Sequence, residues 1–175
     1  NSLFVDVARD SSRALGMTTE PEVIRTMILN RWIQLWMGHL ALALACRGAE
    51  VLGGPLTNPA NSHRYYLLSE DTWQASERKA QDLGGHLATV NDLAEQNWIF
   101  AQFGAWGGVQ RSLWIGLREV GGEGVFRWSS GESLGFTRWL PSQPDNSPVS
   151  GGESFVHMIN TSNIYGHPGG FWNDI

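Results

Sequence analysis

The chain has 175 residues, of which 42% are hydrophobic, enough to form the core of one ordinary domain and leave an additional segment. A formal net charge of -5 provides no basic surface that would neutralise phosphate groups, so nucleic acid is excluded as a partner. Cys46 is the single cysteine, so no disulfide can form within these residues, and the redox compartment stays open.

The first 49 residues contain a segment that is typical of the leader of an exported protein. Residues 1–26 are interpreted as an upstream extension of unclear status. Residues 27–49 combine Arg31 with a mostly apolar run and small residues before Cys46, a pattern that predicts a signal peptide or hydrophobic leader. Polar residues interrupt the run, which is shorter than the roughly 20 apolar residues of a membrane span, so we expect no span. The expected location is extracellular or at the cell surface.

Two alternatives stay open for this leader. The small residues before Cys46 also resemble a lipoprotein cleavage site, which would make Cys46 a lipid anchor. The other alternative is a helix, because Thr19 and Glu22 have the spacing of a capping box and apolar residues follow them.

A folded domain is predicted over residues 62–175, after a stretch at 50–61 whose glycines and prolines indicate a linker. Capping residues and periodicity predict a strand at 64–68, a helix that Asp71 caps and that runs to Leu83, a strand at 86–90, a helix that Asn91 caps and that ends before Gly104, and strands at 112–117, 125–129, 155–158 and 171–175. The first helix is predicted to present Trp73, Ser76, Ala80 and Leu83 on one face, and the second helix carries Leu93, Ala94, Trp98 and Ala101. Core packing is also predicted for Trp114, Trp128, Trp139 and Trp172. Two helices followed by short antiparallel strands predict an α+β fold.

Two long stretches, 130–154 and 159–170, lack periodicity, and long irregular stretches inside a domain are usually functional. Oxygen donors lie in or directly after these stretches, at Gln143, Asp145, Glu153, Asn173 and Asp174. Calcium prefers such a mixture of carboxylate and amide oxygens, so the sequence predicts a calcium site. A cis peptide bond at Pro144 is a further hypothesis, because it would turn Gln143 and Asp145 toward one point. The alternative is that these residues are ordinary turn formers.

Residues 65–175 resemble a C-type lectin-like domain. Four motifs in the family's order carry the resemblance: Leu83-Gly84-Gly85-His86-Leu87, Trp114-Ile115-Gly116-Leu117, Gln143-Pro144-Asp145 and Trp172-Asn173-Asp174. The resemblance implies two helices, short antiparallel sheets and a long calcium-binding loop region. It also implies that the five oxygen donors both ligate one calcium ion and bind sugar hydroxyls. The Gln-Pro-Asp motif implies a glycan partner with terminal galactose or N-acetylgalactosamine.

The sequence departs from the family in several places. Ser147 stands where galactose-binding relatives usually carry an aromatic residue, and Ser154 stands where relatives with an auxiliary calcium often carry an acid. Ala80 and Phe155 occupy what resemble two half-cystine positions. The chain also stops at Ile175, where the family continues into a final strand that pairs with the first, so we expect a domain that lacks its last strand. Ser147 favours a second hypothesis, a scaffold that binds protein or another non-sugar ligand, with calcium structural or absent.

An enzymatic function is not predicted. Gly131-Glu132-Ser133-Leu134-Gly135 has the G-x-S-x-G pattern of a nucleophile elbow, and Asp145 and His157 follow it in hydrolase order. The elbow requires a helix directly afterwards, but Pro141 and Pro144 lie within the next ten residues. His157 is instead expected to be a structural histidine within a strand.

Overall fold

The structure is a computed structural model that describes residues 2–7 (backbone only), 48–147, 152–160 and 166–175. All of these residues fall in one compact unit. The strands are β1 (Ser2–Val7), β2 (Val51–Thr57), β3 (Arg64–Leu68), β4 (His86–Leu87), β5 (Leu113–Glu119), β6 (Phe126–Trp128), β7 (Phe155–Met158) and β8 (Trp172–Asp174). The helices are α1 (Trp73–Asp82) and α2 (Leu93–Phe103), and a 3-10 turn follows at Trp106–Gly108.

One sheet connects the strands in the order β2-β3-β1-β5-β7-β8, with β4 beside β1 and β6 beside β5. The pairings are antiparallel except for β1 with β5, which is parallel. β5 and β6 form a hairpin, because they pair antiparallel on either side of the glycine-rich turn at 121–124. Two helices beside a largely antiparallel sheet confirm the predicted α+β class.

Two strands lie where the sequence indicated none. The stretch interpreted as a linker contains β2, which pairs with β3 through contacts such as Leu56 with Tyr65. Its glycines and Pro55 are compatible with a strand because β2 is first in the sheet order and contains register shifts, and proline is tolerated at edges and bulges. Ser2–Val7, within the supposed upstream extension, forms β1 between β3 and β5. Residues 8–47, which include Cys46 and most of the leader predicted at 27–49, lie outside the described residues.

Both helices begin one residue later than predicted. The N-cap of α1 is Thr72, whose hydroxyl accepts the N–H of Ala75 at 3.2 Å, while Asp71 accepts the N–H of Thr72. The N-cap of α2 is Asp92, whose carboxylate accepts the N–H of Glu95 at 2.8 Å. The assignments of Asp71 and Asn91 as caps were therefore wrong, since adjacent polar residues compete for the same role.

The buried face of α2 consists of residues other than those that the sequence analysis named on this helix. Leu93 is 50% exposed, and Ala94 and Ala101 are exposed too, whereas the buried residues are Glu95, Gln96, Ile99 and Phe103. Glu95 is buried because its carboxylate accepts hydrogen bonds from the Tyr65 hydroxyl at 2.5 Å and from the N–H of Asn91 at 2.7 Å. A buried polar residue with such partners is not recognised by an apolar periodicity.

The core consists of two clusters of buried side chains. The larger cluster contains Trp128 and Trp172, with the half-buried Trp139 packed against it, and the smaller contains Trp114, which confirms the packing predicted for all four tryptophans. Ala80 is buried in the smaller cluster, where Phe155 stacks on Trp73 with ring centroids 4.9 Å apart. Apolar contact therefore fills the two positions that resemble half-cystines.

Candidate metal centre

Three carboxylates from separate parts of the sequence converge beside β8. One oxygen atom from each of Asp145, Glu153 and Asp174 lies within 4.8 Å of the others. Across the part of the chain that the structure describes, no other group of three His, Cys, Asp or Glu residues has this geometry. Glu153 and Asp174 are buried and Asp145 is exposed, so the group opens to solvent on the Asp145 side.

Backbone hydrogen bonds hold these carboxylates in place. The Asp174 carboxylate accepts the N–H groups of Asp145 at 3.3 Å and of Asn146 at 3.1 Å. The Glu153 carboxylate accepts the N–H of Ser147 at 2.9 Å. Each buried carboxylate is thus bonded to the loop that carries Asp145, and the strand and the loop form one structural unit.

Asn146 is a positioning residue that the sequence analysis did not include among the oxygen donors. Its side-chain oxygen accepts the N–H of Glu153 at 2.8 Å, and its φ of 45° lies in the left-handed region that asparagine tolerates better than most residues. The signal in the sequence was its position directly after the Gln143-Pro144-Asp145 motif.

The two predicted amide ligands, Asn173 and Gln143, differ in burial and in their hydrogen bonds. Asn173 is buried, its amide nitrogen donates to the Asp174 carbonyl at 2.5 Å, and its Oδ1 is buried with no hydrogen-bond partner among the described residues. The Gln143 side-chain oxygen accepts the N–H of Asp145 at 3.2 Å, and no described contact joins it to the three carboxylates. The Gln143–Pro144 peptide bond is cis, as hypothesised.

The charge distribution favours a cation at this group. Burial, the largest cause, raises the pKa of the Asp174 carboxyl, and the nearby charge of Asp145 raises it further, against the lowering effect of the backbone N–H groups. A buried acceptor without a partner, such as Asn173 Oδ1, also requires an explanation. Carboxylate and amide oxygens are the donors that calcium prefers, so these residues fit a calcium ion.

Neither histidine chemistry nor the nucleophile-elbow pattern forms an active site here. His157 lies on β7 with its ring 5.6 Å from the ring of Trp114, and burial lowers its pKa to about 4. Residues 131–138, which contain and follow the G-x-S-x-G pattern, have no helix.

The helices of the described chain include none that is both long and apolar enough to cross a membrane.

Fold and site together define a class: a small α+β binding domain whose site is built from loop carboxylates against a supported strand. The chain belongs to the family described as the Lectin C-type domain, whose model matches residues 69–174. Membership confirms the resemblance seen in the sequence, and the domain is a binding module, not an enzyme.

Individual relatives show the extent of the similarity. The chain is 33% identical over 121 residues to C-type mannose receptor 2 from Mus musculus, covering 69% of this chain and 7% of that protein. It is 32% identical over 134 residues to C-type lectin domain family 10 member A from Mus musculus, covering 73% of this chain and 39% of that protein. Among solved structures, it is 28% identical to the cow CD23 carbohydrate-recognition domain determined with a GlcNAc2Man3 oligosaccharide, with a TM-score of 0.48 and coverage of 59% of this chain and 69% of that one. The chain therefore spans well under half the length of both curated relatives.

Proposed function

We propose that this domain is a calcium-dependent lectin for galactose-type glycans. The observation that carries the proposal is the convergence of Asp145, Glu153 and Asp174, one oxygen of each within 4.8 Å of the others, with Asp145 exposed to solvent. Asn173 Oδ1 supports it, because this buried acceptor gains a partner if a cation lies beside it. Bound calcium would supply open coordination positions for two sugar hydroxyl groups.

The protein's own residues account for the recognition. Carboxylates at Asp145 and Glu153 accept hydrogen bonds from hydroxyl groups, and such charge-assisted bonds are stronger than neutral ones. Gln143 and Asn173 add amide groups that also donate. The order of amide and acid in Gln143-Pro144-Asp145 favours galactose or N-acetylgalactosamine over mannose, as the family resemblance implies.

Ser147 indicates weak binding of a single sugar. No aromatic ring at this position stacks on the apolar face of a galactoside, and the N–H of Ser147 donates to Glu153. Phe171 is partly covered, because the Arg138 guanidinium lies 4.8 Å from its ring centroid and the His167 ring centroid lies 6.2 Å away. The same features favour the second candidate function, a scaffold for a protein or other non-sugar ligand in which calcium only orders the loops.

Calcium titration tests the metal assignment. Calcium at 100 times its dissociation constant stabilises a single-site protein by about 2.7 kcal/mol, and we expect Asp145→Ala and Asp174→Asn to abolish this gain in thermal melting. Exposed Asp82 supplies the control Asp82→Ala, which should keep the full shift. An unchanged shift in both site variants would overturn the ligand assignment.

A glycan array with and without chelator separates the two functions. Calcium-dependent signal on terminal galactose supports the lectin, whereas a blank array from protein that still binds calcium supports the scaffold.

We further propose that the protein is exported to the extracellular space or cell surface, with residues 27–49 as the signal. Deleting residues 27–49 should retain the protein inside the expressing cell, and unchanged export would contradict that assignment.

A further inference from the structure

Gln96 connects helix α2 to the strand that supplies two of the predicted ligands. Its side chain is 1% exposed. The Gln96 Oε1 accepts the indole N–H of Trp172 at 2.7 Å, and the Gln96 Nε2 donates to the carbonyl of Gly170 at 2.7 Å. One buried amide thus bonds to the chain on both sides of Phe171, directly before Asn173 and Asp174.

Trp172 lies where both ligand-bearing segments meet. The backbone N–H of Trp172 donates to the Arg138 carbonyl at 2.7 Å, and the backbone carbonyl of Trp172 accepts the N–H of Leu140 at 2.9 Å. The Leu140 carbonyl in turn accepts the N–H of Gln143 at 3.0 Å, which begins the loop that carries Asp145. The position of Trp172 therefore affects the loop ligands as well as the strand ligands.

Packing alone does not fix the orientation of this indole. The Trp172 ring meets Trp128, Phe136 and Trp139 edge-to-face, at centroid distances of 5.7, 5.7 and 5.9 Å. Aromatic contacts are each modest in energy, whereas a buried hydrogen bond is directional and leaves an unsatisfied polar group when it is lost. The bond to Gln96 selects one orientation.

We propose that Gln96 is a positioning residue for the metal centre, acting through Trp172 and Gly170 on the spacing of the three carboxylates. The calcium part of this inference rests on the proposed function. The structural part rests only on the hydrogen bonds that the Asp174 carboxylate accepts from the N–H groups of Asp145 and Asn146. Loss of the Gln96 bonds should therefore loosen these contacts even in calcium-free protein.

The variant Gln96→Met removes the hydrogen bonds to Trp172 and Gly170, together with the 3.4 Å contact between Gln96 Nε2 and the Met158 sulfur, and keeps the side-chain length. We expect its calcium dissociation constant, measured by titration calorimetry well below the melting temperature, to rise about tenfold. The control is Leu68→Ala, a buried residue of the smaller core cluster, which should lower the unfolding midpoint without changing the calcium dissociation constant. Equal dissociation constants in the two variants would overturn the inference.

Amide hydrogen exchange in calcium-free protein provides the second measurement. We expect the Asp145 and Asn146 amides to exchange about tenfold faster in Gln96→Met than in Leu68→Ala, and equal rates would contradict the positioning role. If the unmodified protein binds no calcium, the proposed function fails, while the exchange rates still decide the role of Gln96. Should Gln96→Met not fold, Gln96→Glu retains the acceptor for Trp172 and loses the donor to Gly170. An intermediate increase in exchange is then expected, and no increase would refute the proposal.

Discussion

Asp174 is a buried carboxyl group whose surroundings both favour and oppose its negative charge. Its carboxyl is fully buried, which raises its pKa, yet two backbone N–H groups stabilise its charged form. Asp145 and Glu153 bring two more carboxylates close to it. Because like charges at this distance repel, the arrangement is favourable only when a cation or a proton reduces the negative charge.

His157 should make stability depend on pH. Burial lowers its folded-state pKa from 6.5 to about 4, so protons bind the unfolded chain more tightly. Its contribution is complete above about pH 6.5 and is lost as the pH falls toward about 4, a total of about 3 kcal/mol in the free energy of unfolding. Urea unfolding at several pH values measures it. The variant His157→Leu should flatten this segment of the profile, and an identical profile would contradict the assignment.

Exchanging the amide and acid of the first motif should change sugar preference. In Gln143→Glu with Asp145→Asn, hydrogen-bond donors and acceptors exchange places around the hydroxyl groups, and we expect the rank order to move from galactose toward mannose. Competition by free monosaccharides on immobilised protein measures the order. Asp82→Ala serves as the matched surface control, and an unchanged order in the double variant would argue against direct contact between these residues and the sugar.

At the scale of elements, Glu77 ties α1 to β4 and to the segment after β6. One carboxylate oxygen accepts hydrogen bonds from Gln81 at 2.9 Å and His86 Nδ1 at 2.6 Å. The other accepts from the N–H of Leu87 and the hydroxyl of Ser129, each at 3.0 Å. Four donors converge on one buried carboxylate, so its removal would leave the buried N–H of Leu87 unsatisfied.

We expect Glu77→Ala to lower the free energy of unfolding by about 3 kcal/mol, since hydrogen bonds to charged groups are worth about 1.5–3 kcal/mol each and are not additive. Urea denaturation with unchanged m-value measures the loss. The control Glu123→Ala changes an exposed acid of the turn and should have little effect. A loss below about 1 kcal/mol would show that water replaces the carboxylate.

The elements also show what the sequence can predict. Arg64–Leu68 and Phe155–Met158 were predicted at their observed bounds, because apolar strand residues lie between clear turn signals. The face of α2 was missed because Glu95 and Gln96 are buried through partners 30 and 76 residues away in sequence, Tyr65 and Trp172. The oxygen donors named from the sequence include the three carboxylates that lie together, but the supporting bonds of Asn146 and Gln96 depend on contacts that no local pattern encodes.

At the scale of the whole molecule, no disulfide can form within these 175 residues, so the stability of the domain depends on packing, hydrogen bonds and any bound ion. The sequence has one cysteine, so no cross-link within these 175 residues restricts the unfolded chain. No disulfide within these residues joins the strands of the sheet, which runs from β2 to β8. The candidate metal centre lies at the β8 end. Calcium binding would therefore add its free energy to the native state of a domain that is otherwise held by non-covalent contacts alone.

A chelator should therefore change the melting temperature of this protein, whereas a reducing agent should not. We expect dithiothreitol to leave the melting temperature unchanged, because there is no intrachain disulfide to break. A calcium chelator should lower the melting temperature of calcium-loaded protein by several degrees, since about 2.7 kcal/mol of linkage corresponds to that shift in a domain of this size. Scanning calorimetry measures both. Asp174→Asn serves as the control, because it should melt at the same temperature with and without chelator. Sensitivity of the unmodified protein to dithiothreitol would instead reveal a disulfide between chains through Cys46, and insensitivity to chelator would remove calcium from the account of its stability.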